Sequence, residues 1–239
     1  MPSVAPGGEL PDAKLFYCRT VDWRKALVRD GYSAIAEAYS HERPGRRRDY
    51  PAEWEREQAW LKRFFESLPR GGRVLDLGCG NGEPLLIELI AQGFRVTGVD
   101  FSPAQVTRAR QCCPDATVIE RDMGDVDFDL ASFDGVISYD AIWHLPRQEH
   151  ASIFARMRRW LTDGAPALLT LGADAGVNEN TSGLFTELLG APTFYDAWPI
   201  DVSLELLRTA GFTVVDHHCH PGPTDGHLIV LARAMDALA

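Results

Sequence analysis

The sequence carries no surplus of positive charge: 24 lysines and arginines stand against 34 aspartates and glutamates, for a formal net charge of −10. A nucleic-acid backbone is held by clustered cations, so a polynucleotide is not expected as the partner. Lysine itself is scarce, with only Lys14, Lys25 and Lys62. No apolar run approaches the ~18 residues that a membrane span needs, so no membrane partner is expected. Residues Met1–Leu10 lack the basic flank of a signal peptide, and the first 20 residues read as a disordered tail. Cysteine is odd in number (Cys18, Cys79, Cys112, Cys113, Cys219), and no C-x-x-C pair occurs. That suits reduced thiols in the cytoplasm. What remains is an ordinary globular composition, 45% hydrophobic and 24% charged.

The most informative stretch is Arg73–Pro84. Arg73 to Leu77 is a short apolar run, as expected of a strand covered on both faces. Gly78, Gly80 and Gly82 follow at alternate positions, where a turn needs φ > 0 and a ligand can approach the backbone. Pro84 suits the first position of a helix. Arg95 to Asp100 is a second strand, and it ends in an acid placed to bond ribose hydroxyls, with Phe101 beside it. A dinucleotide or S-adenosylmethionine would fit such a unit. The dinucleotide pattern is G-x-G-x-x-G with a pyrophosphate over the helix start. Here the spacing is G-x-G-x-G, and Glu83 would repel a pyrophosphate. S-adenosylmethionine has no phosphate.

Val74-Leu75-Asp76-Leu77-Gly78-Cys79-Gly80-Asn81-Gly82 resembles the first motif of class I S-adenosylmethionine-dependent methyltransferases, and the likeness runs from about Tyr32 to the C-terminus. It implies S-adenosylmethionine as cofactor, with Asp76, Gly78, Cys79, Gly80 and Asp100 around it. It also implies that Tyr32-Ser33-Ala34-Ile35-Ala36-Glu37-Ala38-Tyr39 covers the methionine end of the cofactor, Tyr39 being the better contact. Packing onto the domain is the competing role for that segment. After a third strand (Thr117 to Glu120), Asp122 would read the adenine amine and Met123 would pack on the ring. Tyr139 to Pro146, after the fourth strand (Phe133 to Ser138), resembles the His-Leu-Pro exit of the family, with Tyr139 near the cofactor. The Asn/Asp-Pro-Pro-Tyr signature of polynucleotide amino-methylating enzymes is absent there.

The remaining pattern completes the expectation. Helices are expected over Val21 to Ser40, broken at Gly31, and from Pro51 to Leu68. A helix over Gln148 to Leu161 leads to a fifth strand, Ala165 to Leu171, with Asp174 just beyond it. Alternating strands and helices imply a parallel sheet with ligands beyond its C-terminal ends. Two last strands, Phe212 to Cys219 and His227 to Ala234, are joined too closely for a helical crossover and must be antiparallel. The expected fold is a three-layer Rossmann-like α/β sandwich with a seven-stranded, mostly parallel sheet ending in that hairpin. It forms one domain over 21–239, with a helical cap (21–68) and an internal lid (175–200). Phe185, Tyr195 and Trp198 of the lid, with Trp143, are candidate acceptor contacts, a satellite core or a dimer contact being the alternative for the lid. His144 is the candidate base, with Asp174 to orient it; a packing role for His144 is the alternative. His217, His218 and His220 cannot all share a strand face, and no metal is expected. The expected activity is methyl transfer to an oxygen or nitrogen of a small molecule, such as a secondary metabolite. The alternatives are a cyclase or a non-catalytic binding protein on the same scaffold.

Overall fold

The computed structural model describes residues 22–40, 51–173, 184–220 and 226–236. Two helical segments come first, α1 (Trp23–Ala34) and α2 (36–40), followed by α3 (Pro51–Glu66). Then come β1 (Arg73–Leu77), α4 (Leu85–Ala91), β2 (Arg95–Asp100), α5 (Pro103–Cys112), β3 (Thr117–Glu120) and β4 (Gly135–Ser138). Next are α6 (His150–Trp160), β5 (Pro166–Ala173), the pair β6 (Leu184–Leu188) and β7 (Ala191–Tyr195), α7 (Ile200–Thr209), β8 (Phe212–His220) and β9 (Gly226–Ala234).

Seven strands form one sheet in the order β3-β2-β1-β4-β5-β9-β8. β9 alone runs opposite to the other six. Each strand serves two cores because its side chains alternate in direction. Val74 packs with Phe64 of α3, Leu86 of α4 and Val106 of α5. Leu75 and Leu77 turn the other way, toward Phe154 and Trp160 of α6 and Leu207 of α7. β5 is buried at all eight positions, which explains its unbroken apolar sequence. The chain runs from β1 outward to β3 and then returns to β4, so β1 and β4 are neighbours at the point where strand order reverses. Such a crevice, beyond the strand C-termini, is where open α/β sheets bind ligands.

Several boundaries differ from expectation for local reasons. Gly31 lies inside α1, and the break falls at Ile35. A Cβ on Gly31 would stand 2.5 Å from the Pro192 carbonyl oxygen, so the glycine serves helix–strand contact and not a kink. Pro84 precedes α4 instead of opening it, after a cis Glu83–Pro84 bond. β4 starts two residues late because Phe133 bridges to Leu161 instead. The expected lid contains a hairpin, β6–β7, outside the main sheet. Leu189 and Gly190, both at positive φ, make its two-residue turn. Among the described residues, no helix is long and apolar enough to cross a membrane.

Candidate active site

The turn after β1 is built on backbone hydrogen bonds. The Gly78 and Cys79 amides donate to the Val99 carbonyl at 2.8 and 3.0 Å, tying the turn to β2. The three glycines answer to different neighbours. A Cβ on Gly78 would fall 2.2 Å from the Ala141 methyl, so this glycine admits the exit of β4. Among the described residues, one on Gly80 would meet only the Tyr39 ring, at 3.9 Å. One on Gly82 would press on the sulfurs of Cys113 and Cys112 at 3.0 and 3.2 Å.

Asp100, at the end of β2, accepts from the Gly80 amide (2.9 Å) and the Ser102 amide (2.9 Å). Burial pushes its carboxyl up to about 6 against those two bonds. Above the turn lies a cleft lined by Tyr32, Tyr39, Gly78, Gly80, Asp100, Phe101, Met123, Tyr139, Asp140 and His144, among others. Its cavity volume is about 60 Å³.

The structure therefore brings Tyr39, Gly78, Gly80, Asp100, Phe101, Met123, Tyr139 and His144 to one cleft. Asp76 and Cys79 do not line it; they lie beneath it, 1% and 9% exposed. Burial, with the Asp100 and Asp76 charges, pushes the Cys79 thiol far up, which disqualifies it as a nucleophile. Asp122 turns away from the cleft. It takes the Gly124 amide at 2.7 Å and the Lys25 ammonium at 3.0 Å, while Lys25 also reaches Glu149 at 2.6 Å. This linkage holds α1 to the loop after β3. Tyr195 bonds the Gly226 carbonyl at 2.9 Å, and the Trp198 indole donates to the Arg147 carbonyl at 2.9 Å. The Trp143 ring stacks on His227 at 4.4 Å. These three aromatics brace the walls and do not line the cleft. Asp174 and the side chain of Phe185 lie outside the described residues.

His144 is held on both ring edges. Nδ1–H donates to the Phe194 carbonyl of β7 at 2.6 Å, which leaves Nε2 as the acceptor. Nε2 receives the Trp143 indole N–H at 3.1 Å and faces the Tyr32 hydroxyl at 2.9 Å. Burial lowers the imidazole to about 4, against the Phe194 bond and the Asp140 charge, so the ring stays neutral at physiological pH. Sequence reasoning placed Tyr32 in the cap but not against His144. Asp140 also escaped it. Asp140 sits at φ +55, its amide bonded to the Thr170 hydroxyl, and backbone outliers of this kind cluster at functional sites. Periodicity sets Tyr32 on one helix face with Ile35 and Tyr39 but carries no signal of His144, and it carries none for Asp140. Among the described residues, no group of three or more His, Cys, Asp or Glu side chains is placed to hold a metal.

Comparison with known proteins points to one family. Residues 74–164 match a family model described as a methyltransferase domain. An uncharacterized methyltransferase of Synechocystis sp. is 31% identical over 171 residues, covering 70% of this chain and 78% of that protein. The 27-O-demethylrifamycin SV methyltransferase of Amycolatopsis mediterranei is 37% identical over 89 residues, 35% of this chain and 33% of that protein, so the match spans about a third of that relative. Among solved structures, 1,6-didemethyltoxoflavin-N1-methyltransferase of Burkholderia thailandensis, with bound 1,6-didemethyltoxoflavin and S-adenosylhomocysteine, is similar at a TM-score of 0.65 and 22% identity, covering 88% of each chain. At that identity the likeness speaks for the fold.

Proposed function

The chain belongs to the class I S-adenosylmethionine-dependent methyltransferases, and on that premise we propose that it transfers a methyl group from S-adenosylmethionine to an oxygen or nitrogen of a small molecule. One observation carries the reading: a single cleft joins the glycine turn and Asp100 to the Tyr32–His144 pair. The residues present suit the donor. Each carboxylate oxygen has two lone pairs, and each of those on Asp100 accepts one amide, so acceptor capacity remains for ribose hydroxyls. Met123 and Phe101 offer apolar contact to a purine, and Gly80 leaves the backbone approachable. The rings of Tyr39 and Tyr139 suit a cationic sulfur. When bound, S-adenosylmethionine supplies a methyl carbon made electrophilic by its sulfonium.

The chain's own contribution is positioning and proton handling. Holding two reactants in line is worth up to ~7–11 kcal/mol, so the walls of the cleft matter as much as any base. The Tyr32 oxygen receives the acceptor's proton as that proton becomes acidic, and passes its own to Nε2 of His144. The Phe194 carbonyl fixes the imidazole tautomer that makes this transfer available. The nearby Asp140 charge favours the protonated ring. The acidic surface argues against a nucleic-acid acceptor, and the free thiols suit a cytoplasmic setting.

Methyl-labelled cofactor with a metabolite extract tests the activity, and label must appear in a small-molecule product. Tyr32→Phe should lower kcat by ~10²–10⁴-fold with unchanged cofactor affinity. Cofactor binding with no label transfer to any component would favour a cyclase or a binding protein.

A further inference from the structure

A cluster of thiols lies beneath the glycine turn, and methyl transfer gives them no task. Cys112 ends α5 and Cys113 follows it. Their sulfurs are 3.3 Å apart. The Cys112 thiol donates to the Asn81 carbonyl at 3.0 Å, and the Cys113 thiol reaches the Gly82 carbonyl at 3.9 Å. Both sulfurs also press on the α-carbon side of Gly82, where no Cβ has room. The two thiols differ in access. Cys113 is 1% exposed, whereas Cys112 is half-buried and lines a surface cleft with Ser40, Asn81, Glu83 and Arg108. A small oxidant in that cleft meets Cys112 first.

We infer that Cys112 and Cys113 form a modification site, which a hydroperoxide oxidises to a vicinal disulfide that loosens the cofactor turn. The Cys112 sulfur attacks the outer peroxide oxygen. The O–O bond breaks, the thiol proton leaves with the departing alcohol or water, and Cys112 becomes a sulfenic acid. The Cys113 sulfur then attacks Cys112, the S–O bond breaks, and water departs with the Cys113 proton. The peroxide takes the two electrons that the thiols lose. Burial pushes the Cys113 thiol up to about 12, so it stays protonated and leaves the first step to Cys112.

The consequence follows from hydrogen bonding. A disulfide has no S–H, so the Asn81 and Gly82 carbonyls lose their thiol donors at once. These residues complete the turn whose Gly80 amide is bonded to Asp100. Adjacent α-carbons are about 3.8 Å apart, below the roughly 4.4–6.8 Å common for disulfides. Such a bond is strained and easily reduced, as a reversible device requires.

The inference rests on S-adenosylmethionine lying over this turn. The test uses the full chain, reduced with dithiothreitol, desalted and exposed to hydrogen peroxide. Intact mass and peptide mapping read the modification, and calorimetry reads affinity for S-adenosylmethionine. The oxidised chain should lose two hydrogen atoms, all in the Cys112–Cys113 peptide. Affinity should fall about tenfold, the scale of one lost hydrogen bond, and dithiothreitol should restore it. Cys112→Ser and Cys113→Ser, each compared with its own untreated sample, should hold their affinity in peroxide. A sulfinic acid on Cys112, a bond to any other cysteine, or a mapped disulfide with unchanged affinity would overturn the inference. A reduced chain that binds no cofactor would instead count against the proposed function, and the peptide map would still decide the site.

Discussion

Gly31→Ala sets helix propensity against packing, and the two give opposite signs. Gly31 lies within α1, where alanine is favoured over glycine by about 1 kcal/mol. By propensity alone the substitution stabilises. The added Cβ would stand 2.5 Å from the Pro192 carbonyl oxygen of β7, and ordinary contact begins at 3.4 Å, so the helix must retreat by 0.9 Å. Backbone offers no rotamer by which to yield. Overpacking of this kind costs about 1–3 kcal/mol. The next residue is Tyr32, whose hydroxyl lies 2.9 Å from His144 Nε2. A retreat of that size takes the pair past hydrogen-bonding range, at a further cost of about 1 kcal/mol. The net expectation is a loss of about 1–3 kcal/mol after crediting the propensity gain. Chemical denaturation should show a lower midpoint, and turnover should fall. A raised midpoint with normal turnover would refute both the tight contact and the role given to Tyr32.

Three further outcomes are expected. Cofactor affinity should fall as pH drops through about 6, where the raised Asp100 carboxyl takes up its proton; in Asp100→Asn it should be weaker and flat over that range, and calorimetry at several pH values checks this. His150 is buried and lowered to about 4 from 6.5, so the unfolded chain takes the proton first and stability is lost as pH falls through that window. The shift corresponds to roughly 3 kcal/mol, and the stability difference between wild type and His150→Gln should vary with pH by about that amount between pH 7 and 4; a constant difference would contradict it. Asp196 takes the Arg147 amide at 2.9 Å and stands 4.0 Å from the Arg147 guanidinium, both residues being buried; Asp196→Ala should cost roughly 3–5 kcal/mol by thermal or chemical unfolding, and Asp196→Asn less.

The sequence by itself determined the sheet and the glycine turn at its C-terminal edge. Burial on both faces forces unbroken apolar strands, as in β1 and β5, and turns that need positive φ demand glycine, as at 78, 80 and 82. Both constraints act within a few residues, so they are written locally. The position of Asp100 at the end of β2 follows from the same local pattern. The Tyr32–His144 side of the cleft was decided only by tertiary structure. Tyr32 and His144 meet across 112 residues, and nothing near either one marks the other. Asp122 has the neighbours expected of an adenine contact, yet Lys25, brought in by α1, takes its carboxylate. Gly31 reads as a helix break until Pro192 is known to lie against it. The apolar lid sequence predicts burial but not the β6–β7 hairpin, nor that Tyr195 and Trp198 bond to Gly226 and Arg147. Periodicity reports how much of a side chain is buried and on which face; its partner is chosen when distant segments dock, and that choice rests on shape and charge that no single segment contains.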